Sequence, residues 1–128
     1  MIYKGGCHCQ KIQFEFDGNQ VLECIECNCS MCSKTGYLHI IIPKANFRLL
    51  TGADSLICYT WNTGVAQHLF CQFCGVKSFY VPRSYPEGYS VNARCVDPPP
   101  ILSNITKFDG SNWEANINTI ESLINSPP

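Results

Sequence analysis

The sequence predicts an all-β protein, a single domain of antiparallel sheets held together by zinc. Two observations favour β-structure: short alternating or β-branched segments recur along the chain, and turn residues separate them at close intervals. A third observation points to zinc, because 128 residues include ten cysteines and seven of these lie in three tight groups. The length accommodates one hydrophobic core, so we expect one domain over residues 1–128.

The strand pattern is clearest near the N-terminus, where Ile12, Phe14 and Phe16 alternate with polar residues and predict a half-buried strand. Strands are predicted at 10–16, 37–42, 47–50, 56–61, 65–70, 77–81 and 89–93. The turn Asn62-Thr63-Gly64 predicts a hairpin between the fourth and fifth of these segments. The helical candidates are short and lie at 29–35 and 117–124.

Composition excludes several classes of function. Hydrophobic residues make up 45% of the chain and the net charge is −1, which argues against disorder and against a basic nucleic-acid surface. No run of about 18 apolar residues is present to span a membrane. The N-terminus has no apolar signal core, so we expect a cytoplasmic protein. Because that compartment disfavours disulfides, metal binding or thiol chemistry must account for the cysteines.

The spacing of the clustered cysteines predicts two metal sites. Their motifs are C-x-C at Cys7 and Cys9, C-x-C-x-x-C at Cys27, Cys29 and Cys32, and C-x-x-C-G at Cys71 and Cys74. Zinc prefers four tetrahedral ligands, so the simplest division places the two paired motifs in one closed, structural site. The remaining three cysteines then form a site with an open position, which is the catalytic pattern. Two alternatives remain open: Cys24 or a histidine closes the second site, or the paired motifs are separate knuckles or buried cysteines.

Four segments in this order resemble a known family. They are Gly6-Cys7-His8-Cys9, Cys27-Asn28-Cys29-Ser30-Met31-Cys32, Phe70-Cys71-Gln72-Phe73-Cys74-Gly75 and Val91-Asn92-Ala93-Arg94-Cys95. The chain resembles the glutathione-dependent formaldehyde-activating enzyme family, which also includes centromere protein V, from about residue 4 to residue 113.

The resemblance implies a twisted all-β fold with two zinc ions per chain. It places structural zinc on Cys7, Cys9, Cys71 and Cys74, and the catalytic zinc on Cys27, Cys29 and Cys32. It also implies carbon–sulfur lyase chemistry, in which glutathione condenses with formaldehyde or the adduct is cleaved.

Other candidate residues surround these motifs. Lys34 follows the second motif and could pair with a substrate carboxylate, and Asn92 and Arg94 share a predicted strand face, so all three are predicted to bind substrate. His39 and His68 lie in apolar strands and are expected to be hydrogen-bonded structural histidines. The aromatic residues, among them Tyr37, Tyr59, Tyr80 and Trp61, are expected in the core or in the wall of a pocket.

Three functions compete at this point. The leading prediction is a zinc-dependent enzyme whose partner is a small thiol such as glutathione, with no nucleic-acid or membrane partner. The first alternative is a non-catalytic, zinc-stabilised interaction module. The second is a redox or metal-storage protein that uses Cys27, Cys29 and Cys32.

Overall fold

The computed structural model describes residues 1–125, and this part of the chain is mostly β-structure. Its strands are β1 (Ile2–Gly6), β2 (Gln13–Asp17), β3 (Leu22–Cys27), β4 (Leu38–Pro43), β5 (Phe47–Thr51), β6 (Leu56–Tyr59), β7 (His68–Cys71), β8 (Phe79–Tyr80), β9 (Gly88–Asn92) and β10 (Leu102–Phe108). Its α-helices are α1 (Ser30–Thr35) and α2 (Trp113–Asn116). Short 3-10 turns lie at Lys44–Asn46, Ala53–Ser55, Ala93–Cys95, Gly110–Asn112, Ile117–Thr119 and Glu121–Leu123. The prediction of an all-β fold is confirmed.

The strands form three sheets. One sheet has the order β1-β2-β5, a second has the order β10-β3-β4-β9-β8, and β6 pairs with β7 as a hairpin. The hairpin predicted around Asn62-Thr63-Gly64 is therefore present. The predicted domain over residues 1–128 stays a prediction, and residues 126–128 lie outside the described residues.

Each predicted strand segment contains or overlaps an observed strand, and α1 occupies the first helical candidate. The second helical candidate forms two 3-10 turns. The strand prediction lacks β1, β3 and β10. Unlike the antiparallel pairs expected from the sequence, β10 pairs with β3 in parallel. This is possible because a long connection follows β9 and brings the chain to the far edge of the sheet beside β3.

The five-stranded sheet is covered on both faces, and β4 shows why its sequence is almost continuously apolar. Ile40 and Ile42 point into the main core, which also contains Phe14 and Phe16. Ile41 points to the opposite face and packs in a second, smaller apolar cluster beneath the C-terminal segment. His39 shares that face by alternation, so the sheet places it where the candidate site is found.

Among residues 1–125, none of the helices combines the length and the apolar character needed to span a bilayer.

Candidate metal centres and the adjoining cavity

The structure brings the two paired cysteine motifs together. The sulfurs of Cys7, Cys9, Cys71 and Cys74 all lie within 4.8 Å of one another. The sulfur of Cys9 is 3.6 Å from that of Cys7 and 3.6 Å from that of Cys71. Four sulfurs arranged tetrahedrally at a zinc–sulfur distance of about 2.3 Å are separated by about 3.8 Å, so this donor set fits zinc.

Tight turns create the first cluster. Cys7 follows β1 and begins a tight turn. The Cys7 amide donates to the Ile12 carbonyl, the Cys7 carbonyl accepts from the Gln10 amide, and the Ile12 amide donates to the Cys7 sulfur at 3.4 Å. Cys71 ends β7, and the next turn closes through the Gly75 amide, with Gly75 at φ 74°. This left-handed conformation explains the glycine after Cys74. Hydrogen bonds from the backbone amides of Cys74 and Phe73 lower the pKa of the Cys71 thiol, although burial opposes them. The turns therefore favour the thiolate form that binds metal.

The second cluster forms where β3 leads into α1. The sulfurs of Cys27, Cys29 and Cys32 also lie within 4.8 Å of one another. Cys29 is the N-cap residue of α1, and its sulfur accepts a hydrogen bond from the Cys32 amide at 3.4 Å. Hydrogen bonds from the thiols of Cys27 and Cys32 lower the pKa of Cys29 well below its ordinary value. This cluster offers three ligands and leaves one tetrahedral position for another group.

His39 supports the second cluster from behind. Its Nε2 atom lies 3.2 Å from the Cys32 sulfur, and its Nδ1 atom lies 2.9 Å from Ser90 Oγ and 3.3 Å from Tyr80 Oη. Burial lowers the pKa of His39 to about 3, so the ring is neutral at physiological pH. A neutral ring that donates from Nε2 to a Cys32 thiolate has one lone pair at Nδ1, which accepts from the nearer hydroxyl, that of Ser90.

The remaining cysteines lie apart from both clusters in the described chain. Cys24 is fully buried in the main core, where burial raises the pKa of its thiol to about 11. The alternative in which Cys24 closes the second site therefore finds no support in this arrangement. Cys58 is exposed on β6.

A cavity of about 740 Å³ adjoins the second cluster. Its wall includes all three cysteines of that cluster and His39, whereas the first cluster does not contribute to it. Other lining groups come from distant parts of the chain: Trp61, His68, Tyr80, Arg83, Gly110 and Trp113. Trp61 and Tyr80 fulfil the expectation of an aromatic pocket wall.

The residues predicted to bind substrate lie outside this lining. Lys34 is exposed on α1. The Asn92 side chain is buried, where it accepts from the Arg94 amide and donates to the Lys77 carbonyl. Arg94 Nε donates to the carbonyl of Gly36 at 3.2 Å. Their predicted role in substrate binding stays a prediction.

Arg83 and the segment 110–113 were not predicted as site residues. The Arg83 guanidinium lies 3.7 Å from the centre of the Trp113 ring, at the wall of the cavity. Gly110 approaches Cys27 so closely that a Cβ atom there would collide with the Cys27 sulfur. No local sequence motif connects the segment 110–113 to the cysteines. It reaches the site because β10, which precedes it, pairs with β3, which leads into the second cluster.

Comparison with known proteins agrees with this arrangement. A crystal structure of a protein from Rhodobacter sphaeroides superposes with a TM-score of 0.72 and 28% sequence identity, covering 82% of this chain and 99% of that one. The sequence model of a family described as glutathione-dependent formaldehyde-activating enzyme matches residues 2–111, a range that contains both cysteine clusters. The chain therefore belongs to the glutathione-dependent formaldehyde-activating enzyme family.

Proposed function

We propose that the protein is a zinc-dependent carbon–sulfur lyase that joins a small thiol such as glutathione to an aldehyde of the formaldehyde type, or cleaves the resulting hemithioacetal. One observation carries the proposal: the three-cysteine cluster faces a cavity of about 740 Å³, whereas the four-cysteine cluster lies away from it. We assign one zinc ion to each cluster, with a structural role for the first and a catalytic role for the second.

Cys27, Cys29 and Cys32 would hold a zinc ion that, with its fourth position left to the substrate, would favour the thiolate form of a substrate thiol. The chain's own residues prepare this position. Cys29 is held at the N-cap of α1, and His39 orients Cys32. These contacts fix the ligands before substrate arrives, which lowers the entropic cost of reaching the reactive geometry.

The rest of the cavity suits a thiol that carries carboxylates. Arg83 is the cationic side chain in the described lining; its guanidinium lies against Trp113 and 4.0 Å from the exposed carboxylate of Glu114, which a substrate carboxylate can replace. The apolar groups Ile25, Ile41 and Phe108 line the same space. A glutathione molecule has two carboxylates, so Arg83 can fix one of them while the thiol reaches the cysteine cluster.

The overall reaction moves one proton from sulfur to oxygen. The thiolate sulfur forms a bond to the aldehyde carbon, the carbonyl π electrons move to oxygen, and the oxygen takes up the proton that the thiol lost. The reverse sequence breaks the carbon–sulfur bond. The proposed enzyme is cytoplasmic, as predicted from the N-terminal sequence, and it has no nucleic-acid partner, since the net charge is only −1.

The test replaces zinc with Co²⁺, whose sulfur-to-metal absorption reports on its ligands. We expect glutathione to change this band and a subsequent aldehyde to change it again, with the hemithioacetal detected in solution. Cys29→Ser should abolish both responses, whereas Cys58→Ser, at an exposed cysteine outside both clusters, should retain them. A band that stays constant across all thiols tested would overturn the proposal.

A further inference from the structure

Lys77 is an unusual lysine because it is buried beside the site without a carboxylate. Its exposed fraction is 9%, and none of the ion pairs among the described residues includes it. Its Nζ atom lies 2.7 Å from Nδ1 of His68 and 3.8 Å from the centre of the Tyr80 ring. A buried ammonium that makes no ion pair with a carboxylate is costly, so this environment lowers the pKa of Lys77 and makes the neutral amine easier to reach than in an exposed lysine.

Hydrogen bonds at His68 lead independently to the same form. The indole Nε1–H of Trp61 donates to His68 Nε2 at 3.2 Å, and an indole nitrogen can only donate. His68 Nε2 must therefore be unprotonated, which places the proton of the neutral ring on Nδ1. That Nδ1–H points at Lys77, so Lys77 must accept it, and only an uncharged amine has the required lone pair.

The surroundings of Lys77 allow both of its charge states. Burial lowers the pKa of Lys77 to about 8, and the negative charges of the nearby Cys32 and Cys29 thiolates oppose this shift. The aromatic rings of Tyr37 and Tyr80 face the amine at 5.0 Å and 3.8 Å and would stabilise an ammonium when it forms. The other titratable groups nearby are His68 and His39, whose pKa values are lowered mainly by burial.

We propose that His68 and Lys77 form a proton relay that stores the thiol proton during the reaction. The relay rests on the proposed function and adds the route that the proton takes. His68 lines the same cavity as the three cysteines, and Lys77 lies directly behind it.

The steps of the relay balance in protons and charge. The substrate thiol gives its proton to His68 Nε2 and displaces the Trp61 N–H, while His68 passes its Nδ1 proton to Lys77. The result is a thiolate, a neutral His68 protonated at Nε2 and a Lys77 ammonium. After the sulfur attacks the aldehyde, both transfers run backwards and the proton reaches the new alkoxide oxygen. His68 thus touches substrate as the catalytic acid and base, and Lys77 is a positioning residue that acts through it.

The first test uses the zinc-loaded protein without substrate. Nitrogen-15 NMR reports the tautomer of His68, and the carbon-13 shift of Lys77 Cε reports its charge, over a pH series that brackets the Lys77 pKa of about 8. We expect His68 to carry its proton on Nδ1 while Lys77 is neutral, and to move it to Nε2 in the same transition that protonates Lys77. The relay would be overturned if Lys77 had an ordinary lysine pKa, or if the His68 tautomer did not change when Lys77 became protonated.

Two variants separate the relay from a purely structural contact. Lys77→Arg places a permanent donor beside Nδ1, so His68 should carry its proton on Nε2 at every pH. Lys77→Met removes the acceptor but leaves Trp61 in place, so His68 should keep its proton on Nδ1 at every pH. Lys11→Arg is the matched control, since Lys11 lies over the Phe73 ring away from this contact, and it should behave as the parent protein.

The second test adds glutathione and then aldehyde. At a pH above the Lys77 pKa of about 8, where the amine is neutral before substrate binds, thiol binding should protonate Lys77 in the parent protein, and Lys77→Met should lower the rate of condensation by about 100-fold while thiol binding to cobalt persists. A parent protein that binds thiol without changing the charge of Lys77 would overturn the relay alone. If the protein bound no thiol, the proposed function would be overturned. The relay would then fail too, even if the first test had shown the expected His68 tautomer in the substrate-free protein.

Discussion

The Nε2 atom of His39 lies 3.2 Å from the sulfur of Cys32, and the ring is neutral because burial lowers its pKa to about 3. Since Cys32 is buried as well, this donor is the means by which the protein can offset the charge of that thiolate. His39 comes from β4 and Cys32 from α1, so the contact also couples the helix to the sheet. Backbone amides donate to sulfur in both clusters, and the second cluster adds the His39 side chain to them.

Removal of the His39 donor should weaken metal binding at the second cluster. In His39→Asn the amide can replace Nδ1 but does not reach Cys32, and we expect affinity there to fall by about 10- to 100-fold. In His39→Gln the longer side chain can place its amide nitrogen near Nε2 and should retain most of the affinity. Competition with a chromophoric chelator measures both sites, and the first cluster should be unchanged.

His8→Asn is the matched control because His8 is exposed between Cys7 and Cys9. It should leave the second cluster unaffected. Equal losses in His39→Asn and His8→Asn, or an intact second site in His39→Asn, would contradict the role assigned to His39.

The two clusters should respond differently to the loss of one sulfur. The first cluster joins Cys9 to Cys71, 62 residues later, so a metal bound there closes a long loop. By lowering the conformational entropy of the unfolded chain, this link adds roughly 4 kcal/mol to the free energy of unfolding. Cys71→Ser should therefore unfold at a much lower denaturant concentration. Cys29→Ser should remain folded with one zinc per chain, since its three ligands lie within one short segment.

Circular dichroism during denaturation, together with metal analysis, makes the comparison. Chelation of both metals should reproduce the Cys71→Ser behaviour. If Cys29→Ser unfolded as readily as Cys71→Ser, the second cluster would be structural and the enzymatic proposal would lose its basis.

The features predicted correctly from the sequence are those that local spacing determines. Two motifs of paired cysteines and one of three divide in only one simple way into a four-ligand and a three-ligand set, and the sulfurs are found in those sets. Alternation of Ile12, Phe14 and Phe16 likewise fixes which side of the chain is buried.

The cavity could not be predicted in this way because its walls meet through long-range pairing. Residues 110–113 reach Cys27 only because β10 joins β3 in parallel, and no local pattern signals that pairing. A lysine is usually found at the protein surface, so the sequence does not predict that Lys77 is buried. Its burial depends on His68 and Tyr80, which pack around it. Asn92 and Arg94 belong to the family-like segment, but β9 ends at Asn92 and a 3-10 turn contains Arg94, so the two residues do not share a strand face as predicted.

Arg83 and Arg94 should differ in their effect on substrate binding. Arg83 lines the cavity, so Arg83→Gln should weaken glutathione binding by about 10-fold, the typical value of one charge-assisted hydrogen bond. The same variant should bind a neutral thiol such as 2-mercaptoethanol normally. Arg94→Gln is the control, because its guanidinium contacts the Gly36 carbonyl outside the lining.

Thiol titrations of the cobalt-loaded protein measure both variants. A selective loss of glutathione binding in Arg94→Gln, with Arg83→Gln unaffected, would instead support the role predicted for Arg94 from the sequence.

Burial of Lys77 should also make stability depend on pH. Burial lowers its pKa from 10.5 to about 8, so between these values the unfolded chain binds more protons than the folded protein. The free energy of unfolding should therefore rise with pH across this window, by about 3 kcal/mol if the shift is fully expressed. Below the window both states are protonated and the penalty is constant.

Lys77→Met isolates this contribution, because metal ligands and other side chains titrate equally in both proteins. The difference in unfolding free energy between the parent and Lys77→Met should change by that amount as pH rises from about 8 to 10.5. Lys11→Met, at a residue that lies over the Phe73 ring, should show no such pH-dependent difference. Parallel pH profiles for the parent and Lys77→Met would contradict this prediction, because they would mean that the pKa of Lys77 is the same in the folded protein and in the unfolded chain.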